Sequence, residues 1–138
     1  MKKLSFFMLL SLTTALSYAQ DSFQVVLHKK IVVSATEFSP EKNSKLIKST
    51  DWKKNGFLEV AYKVATPSPR WSYQLQFADE KGNTLLKKDS LAAKVSTQSL
   101  RQLFAGKKQS IISIMIGPSD PMMMAPAKIK QLAILKLP

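Results

Sequence analysis

The side chains with the most distinctive chemistry lie in Pro121-Met122-Met123-Met124-Ala125-Pro126. Three consecutive thioethers between two prolines do not follow the two-residue period of a core strand. Thioether sulfur is a soft ligand that suits Cu(I), so periplasmic copper handling through Met122, Met123 and Met124 is one function this loop could serve. Consecutive side chains cannot all point at one ion, however. The chain has no cysteine and a single histidine, His28, to complete a site. The simpler expectation is that the methionines pack as a flexible apolar plug.

Groups suited to catalysis are sparse. A lone imidazole in or beside an edge strand, as His28 is expected to be, is ordinarily structural or merely exposed. Asp79 and Glu80 are adjacent carboxylates, but Asp79-Glu80-Lys81-Gly82-Asn83 reads as a turn, where acidic residues are common. The same run lacks the spaced Asp/Asn series of a calcium loop. Asp51, Glu59 and Asp89 are scattered, and nothing in their spacing brings them together. No glycine-rich phosphate loop, metalloprotease helix or nucleophile elbow occurs. The expectation is a non-enzyme with no catalytic residue, metal or cofactor.

The elements that position these groups follow a targeting segment. Lys2 and Lys3 precede an apolar run from Leu4 to Leu16, and Ser17-Tyr18-Ala19 offers small residues where a signal peptidase reads them. The run is short of the roughly 20 residues that span a bilayer, and no later stretch could span either. Cleavage after Ala19 would leave residues 20–138 as one domain, large enough for a core without disulfides. Zero cysteine excludes a lipobox, thiol catalysis and thiolate metal sites. The expected destination is the periplasm or the extracellular space.

Two of the 21 basic residues leave with that segment and all nine acidic ones stay, giving 19 − 9 = +10. Such a balance favours anionic partners. The lysines are dispersed as pairs (Lys29-Lys30, Lys53-Lys54, Lys87-Lys88, Lys107-Lys108), and only Arg70 and Arg101 could fork a phosphate. Charge alone does not make a nucleic-acid site, so the expected partner is a protein or an anionic glycan of the cell envelope.

Period-two alternation places strands over most of the mature chain. Phe23, Val25, Leu27, Ile31, Val33 and Ala35 share one parity, with Lys29 interrupting. Two short strands with a bend at His28-Lys29-Lys30 avoid burying that lysine. Thr36–Gly56 is polar, with a short strand at Lys45–Lys48 and Trp52 capping the core. Leu58, Val60, Tyr62 and Val64 mark a strand over 57–65. Trp71, Tyr73, Leu75 and Phe77 mark another, which turns at Asp79–Asn83 and returns over 84–88 as a hairpin. Leu91, Ala93 and Val95 mark a further short strand. Ser99 and Gln102 fit a capping box ahead of Leu100, Leu103 and Phe104, with Gly106 as the stop. Ile112, Ile114 and Ile116, with Ile111 and Met115 opposite, indicate a central strand. A parity switch between Leu132/Ile134 and Leu135/Leu137 suggests a bulge in the last.

The fold class expected is all-β: a single antiparallel β-sandwich of seven to eight short strands, with one short helical turn near Ser99–Phe104. The order of these segments resembles an immunoglobulin-like or fibronectin-type-III-like domain. The strands at 23–35, 57–65, 71–78, 84–88, 91–96, 110–116 and 128–137 carry that resemblance. It departs from the family in lacking the cysteine pair and in having no tyrosine within 110–116. A jelly-roll sandwich is the alternative. The resemblance implies that the loop between the second and third strands lies beside the loop between the last two. That would set Thr66–Trp71 against Ser119–Pro126, joining Arg70, Trp71 and Met122–Met124 in an apolar patch with a cationic edge. Such patches mark contact sites, so a binding module using these five residues is the leading expectation.

Overall fold

A computed structural model describes residues 20–36 and 38–138. The expected signal segment, 1–19, lies outside the described residues. Nine strands and two short helices follow in order: β1 Ser22–Leu27, β2 Lys30–Ala35, β3 Ser44–Leu46, α1 Ser49–Lys53, β4 Phe57–Lys63, β5 Trp71–Ala78, β6 Thr84–Lys88, β7 Ala92–Ser96, α2 Thr97–Leu103, β8 Gln109–Pro118 and β9 Lys128–Lys136. They form a four-stranded sheet, β2-β1-β4-β7, and a five-stranded sheet, β3-β9-β8-β5-β6. Every pairing is antiparallel except β3 with β9. The protein is an all-β, sandwich-like fold.

Alternation built these sheets. In β4, Leu58, Val60 and Tyr62 are buried while Phe57, Ala61 and Lys63 face water. Phe23, Val25, Leu27, Ala93 and Val95 join them from the same sheet, and Leu75, Phe77, Ile112, Ile114, Leu132 and Leu135 meet them from the other. Each large side chain so buried contributes about 1.5–3 kcal/mol. As expected, β8 is central, paired with β5 on one side and β9 on the other. The bulge is also present: Ile112 pairs with Ala133 and Ser113 with Gln131, so Leu132 is the extra residue. Leu132 and Ala133 are therefore both buried although adjacent. Asn43 fixes this distortion by donating from Nδ2 to the Leu132 carbonyl at 3.1 Å.

Several local details differ from the sequence reading. The expected bend at His28-Lys29-Lys30 is a full reversal, because β1 and β2 pair as a hairpin around His28-Lys29. Both residues have positive φ, 50° and 66°, as a mirror-image two-residue turn requires. α2 begins earlier than the capping-box pattern implied: Ser96 Oγ accepts from the Ser99 N–H at 3.2 Å, so Ser96 is the cap. Leu100 and Phe104 are buried as expected, whereas Leu103 is exposed. A second short helix, α1, occupies part of the expected polar loop, and Trp52 on it packs against the core. Among the described residues no helix is long and apolar enough to cross a membrane.

Candidate contact end formed by two proline-bounded loops

Trp71 opens β5 opposite Pro118 near the end of β8, so the chain segments beyond them emerge side by side. Ser119 ties them together. Its N–H donates to the Arg70 carbonyl at 2.9 Å, and its Oγ donates to the Pro69 carbonyl at 2.6 Å. The loops at 66–71 and 119–126 are thus hydrogen-bonded neighbours. Ser119 itself had no distinguishing pattern in the sequence; the β5–β8 register is the signal that points to it.

The floor of this end is aromatic and anchored by one carboxylate. Phe23, Phe38, Tyr62 and Tyr73 stand in a row with successive ring centroids 6.1, 6.0 and 6.5 Å apart. Tyr62 donates to Asp21 Oδ2 at 2.6 Å, and the Ala65 N–H donates to Asp21 Oδ1 at 2.9 Å. Asp21 therefore fixes the start of the 66–71 loop. Burial, and then the Asp21 carboxylate, push the Tyr62 phenol well above its usual pKa. Tyr73 is raised by the same two causes in the same order.

Above this floor the methionines do not form the expected plug. Met122 is 84% exposed and Met124 99%, while Met123 is half-buried. Asp120 sets this path: its Oδ1 accepts from the Met122 N–H at 2.9 Å and its carbonyl from the Met123 N–H at 3.0 Å. Trp71, expected as a contact residue, is 37% exposed, and Arg70 is exposed beside it. All five predicted contact residues share this end of the molecule. His28 does not. Its N–H bonds the Phe57 carbonyl at the start of β4, whereas Lys63 at the other end of β4 leads into the 66–71 loop. Seven residues of strand separate the two, roughly 20 Å. The imidazole therefore cannot join the thioethers around a copper ion.

A groove adjoins the contact end. β6 pairs only with Leu75–Ala78, after which the chain crosses at Asp89–Leu91 to the other sheet. Trp71–Gln74 therefore has no strand beside it on that edge. The space left is an open groove of about 530 Å³ lined by Trp71, Tyr73, Gln74, Leu91 and Met115, among others. Gln74 Nε2 donates across it to Asp89 Oδ1 at 2.7 Å.

Of the carboxylates considered for catalysis, those of Asp79, Glu80, Glu59 and Asp89 are engaged in structure. Asp79 is fully buried and accepts from the N–H groups of Lys81 and Asn83 at 3.0 and 2.9 Å and from Lys107 Nζ at 3.1 Å. Burial alone would raise its pKa, but the bonds from Asn83, Lys107 and Lys81 outweigh it and hold the carboxyl at about 2. It anchors the β5–β6 turn, as the turn reading implied. Glu80 accepts from the Lys108 N–H at 3.1 Å, and Glu59 lies 3.8 Å from Lys94 Nζ. Among the described residues, no three His, Asp or Glu side chains converge as a metal site would need. What the contact end offers is surface: exposed thioethers, an indole edge and one guanidinium on a hydrogen-bonded frame. Comparison with protein-family models, with curated proteins and with solved structures found no match.

Proposed function

We propose that the chain is an exported, non-catalytic binding module that engages a protein or an anionic glycan of the cell envelope through its 66–71 and 119–126 loops. The observation that carries this reading is the pair of methionines held out in water by a loop that is itself pinned by Ser119 and Asp120. Exposed apolar side chains on an ordered frame are suited to burial by a partner, and methionine adapts to varied surfaces. Arg70 supplies the cationic edge. The lysine-led apolar N-terminus supports export. Strand order supports an immunoglobulin-like or fibronectin-type-III-like relationship. Six strands fit that assignment, β1, β4 and β7 as A, B and E and β5, β8 and β9 as C, F and G, while β2, β3 and β6 lie outside these six.

The test compares wild-type protein with Arg70→Ala and with Met122→Ser/Met124→Ser in pull-downs from envelope extract and on a glycan array. Loss of the same captured species in both variants is expected. Unchanged capture by both would refute this choice of surface.

A further inference from the structure

The opposite end of the sandwich carries a cavity that the contact end does not explain. It measures about 350 Å³ and is lined by His28, Lys29, Lys54, Asn55, Phe57 and Lys94, with Gly56 and Glu59. Three lysines against one glutamate give the lysine and glutamate side chains of the lining a formal 3 − 1 = +2. These cations come from the β1–β2 turn, the segment after α1 and the middle of β7, so they meet only in the fold.

The walls are held in place by polar contacts. Thr97, fully buried, donates from Oγ1 to the Lys54 carbonyl at 2.7 Å and accepts from the Gly56 N–H at 3.0 Å. Arg101 donates to the carbonyls of Trp52 and Lys54 at 2.7 and 3.3 Å and to Asn55 Oδ1 at 2.7 Å. His28 Nε2 sits 2.7 Å from the Asp51 carbonyl. Two consecutive residues with positive φ and no glycine or asparagine between them add a strained turn to this wall. These bonds fix the backbone and the Asn55 carboxamide around the cavity, and the exposed Lys29 and Lys54 side chains extend from that fixed frame.

One aromatic ring stands in the cup. Phe57 is 48% exposed, and Lys94 Nζ lies 4.6 Å from its centroid. Glu59 Oε1 lies 3.8 Å from the same ammonium. With its oxygen taken by Arg101, the Asn55 carboxamide retains N–H donors for a ligand.

We infer that this cup is a binding site for an anionic saccharide: its acidic group lies among Lys29, Lys54 and Lys94, its apolar C–H face meets the part of Phe57 that Lys94 leaves uncovered, and a hydroxyl accepts from Asn55. A membrane surface suits the geometry less, because the cations line a concavity. A nucleic acid suits it less too, because the guanidinium of Arg101 is committed to backbone and Asn55 oxygens.

Isothermal titration of the purified protein with oligogalacturonate and with a sulfated oligosaccharide tests the assignment. A neutral maltooligosaccharide, inorganic phosphate and phosphatidylglycerol vesicles run as separate arms. Binding of at least one acidic oligosaccharide is expected, weakening with added salt. Phe57→Ala and Lys29→Gln/Lys54→Gln should each weaken it about fivefold or more. Both changes are at exposed positions, and a thermal melt of each variant checks the fold. Binding lost in Met122→Ser/Met124→Ser but kept in both cup variants would assign the saccharide to the contact end and overturn the inference. The inference is overturned if no acidic saccharide binds, if the neutral sugar binds equally well, if Phe57→Ala has no effect, or if only phosphate or vesicles bind.

Discussion

Gly56 offers a sharp test of how the lysine-lined end is assembled. Its backbone is outside the left-handed region, so glycine is needed there for space alone. A methyl at this position would overlap His28 Nδ1 and lie 2.7 Å from Cε1. In Gly56→Ala the ring must therefore swing out and give up its bond to the Asp51 carbonyl. Forced repacking costs about 1–3 kcal/mol and the lost hydrogen bond about 1 kcal/mol, for a total of about 2–4 kcal/mol. For a domain of this size that is a fall in Tm of about 8–15 °C. His28→Asn removes the obstacle while keeping a residue that tolerates positive φ. In that background Gly56→Ala should cost less than about 1 kcal/mol, a coupling of about 2 kcal/mol. Urea and thermal unfolding of the four proteins complete the cycle. Additive costs would mean that the ring and Gly56 do not constrain each other, and the account of this corner would fail.

Other outcomes follow from the buried polar groups and the exposed sulfurs. The Asp79 carboxyl is depressed in the folded state, so its contribution is present above the ordinary carboxyl value of about 3.9 and is lost as pH falls from there to about 2. Asp79→Asn should flatten the Tm-versus-pH curve in that window, and parallel curves would refute the assignment. The Tyr62 phenol is raised, so its contribution is present below its ordinary value of about 10 and is lost only at more alkaline pH. Ultraviolet phenolate absorbance should show Tyr62 silent until the chain unfolds, and Asp21→Asn should bring its titration down; an unchanged titration would exclude Asp21 as a cause. Dilute peroxide followed by peptide mapping should oxidise Met122 and Met124 well before Met115 and Met123. Equal rates at all four would contradict the exposed path set by Asp120.

The strands with one wet face were legible because alternation reports burial directly, as in Leu58-Val60-Tyr62 and Leu75-Phe77. The bulge at Leu132 showed itself the same way, through the switch in parity. The hairpin at His28-Lys29 did not, because such turns are usually announced by Asn-Gly or Asp-Gly and here two bulky residues take the left-handed positions. At the contact end, strand order was enough to bring residues 66–71 beside 119–126. The outward course of Met122 and Met124 was not readable, since it depends on Asp120 bonding its own loop. The lysine-lined cup was invisible for a different reason. Lys29, Lys54 and Lys94 lie in three distant segments, so they read as dispersed surface charge until β1, β4 and β7 align in one sheet.

The parallel pairing of β3 with β9 sets an order of assembly. Ser44 aligns with Ile134, and Ile47 donates to the Lys136 carbonyl at 2.8 Å, across about 90 residues of chain. Closing a loop of that length costs about 4 kcal/mol in chain entropy, more than a three-residue strand recovers by itself. β3 therefore docks only onto a β8–β9 pair that already exists, and β9 follows it far along the chain. Until then Ile47 has no core to enter and Asn43 has no Leu132 carbonyl to hold. The earlier segment from Phe38 to Ile47 waits on β9, and this edge of the growing chain stays open until β9 has been made.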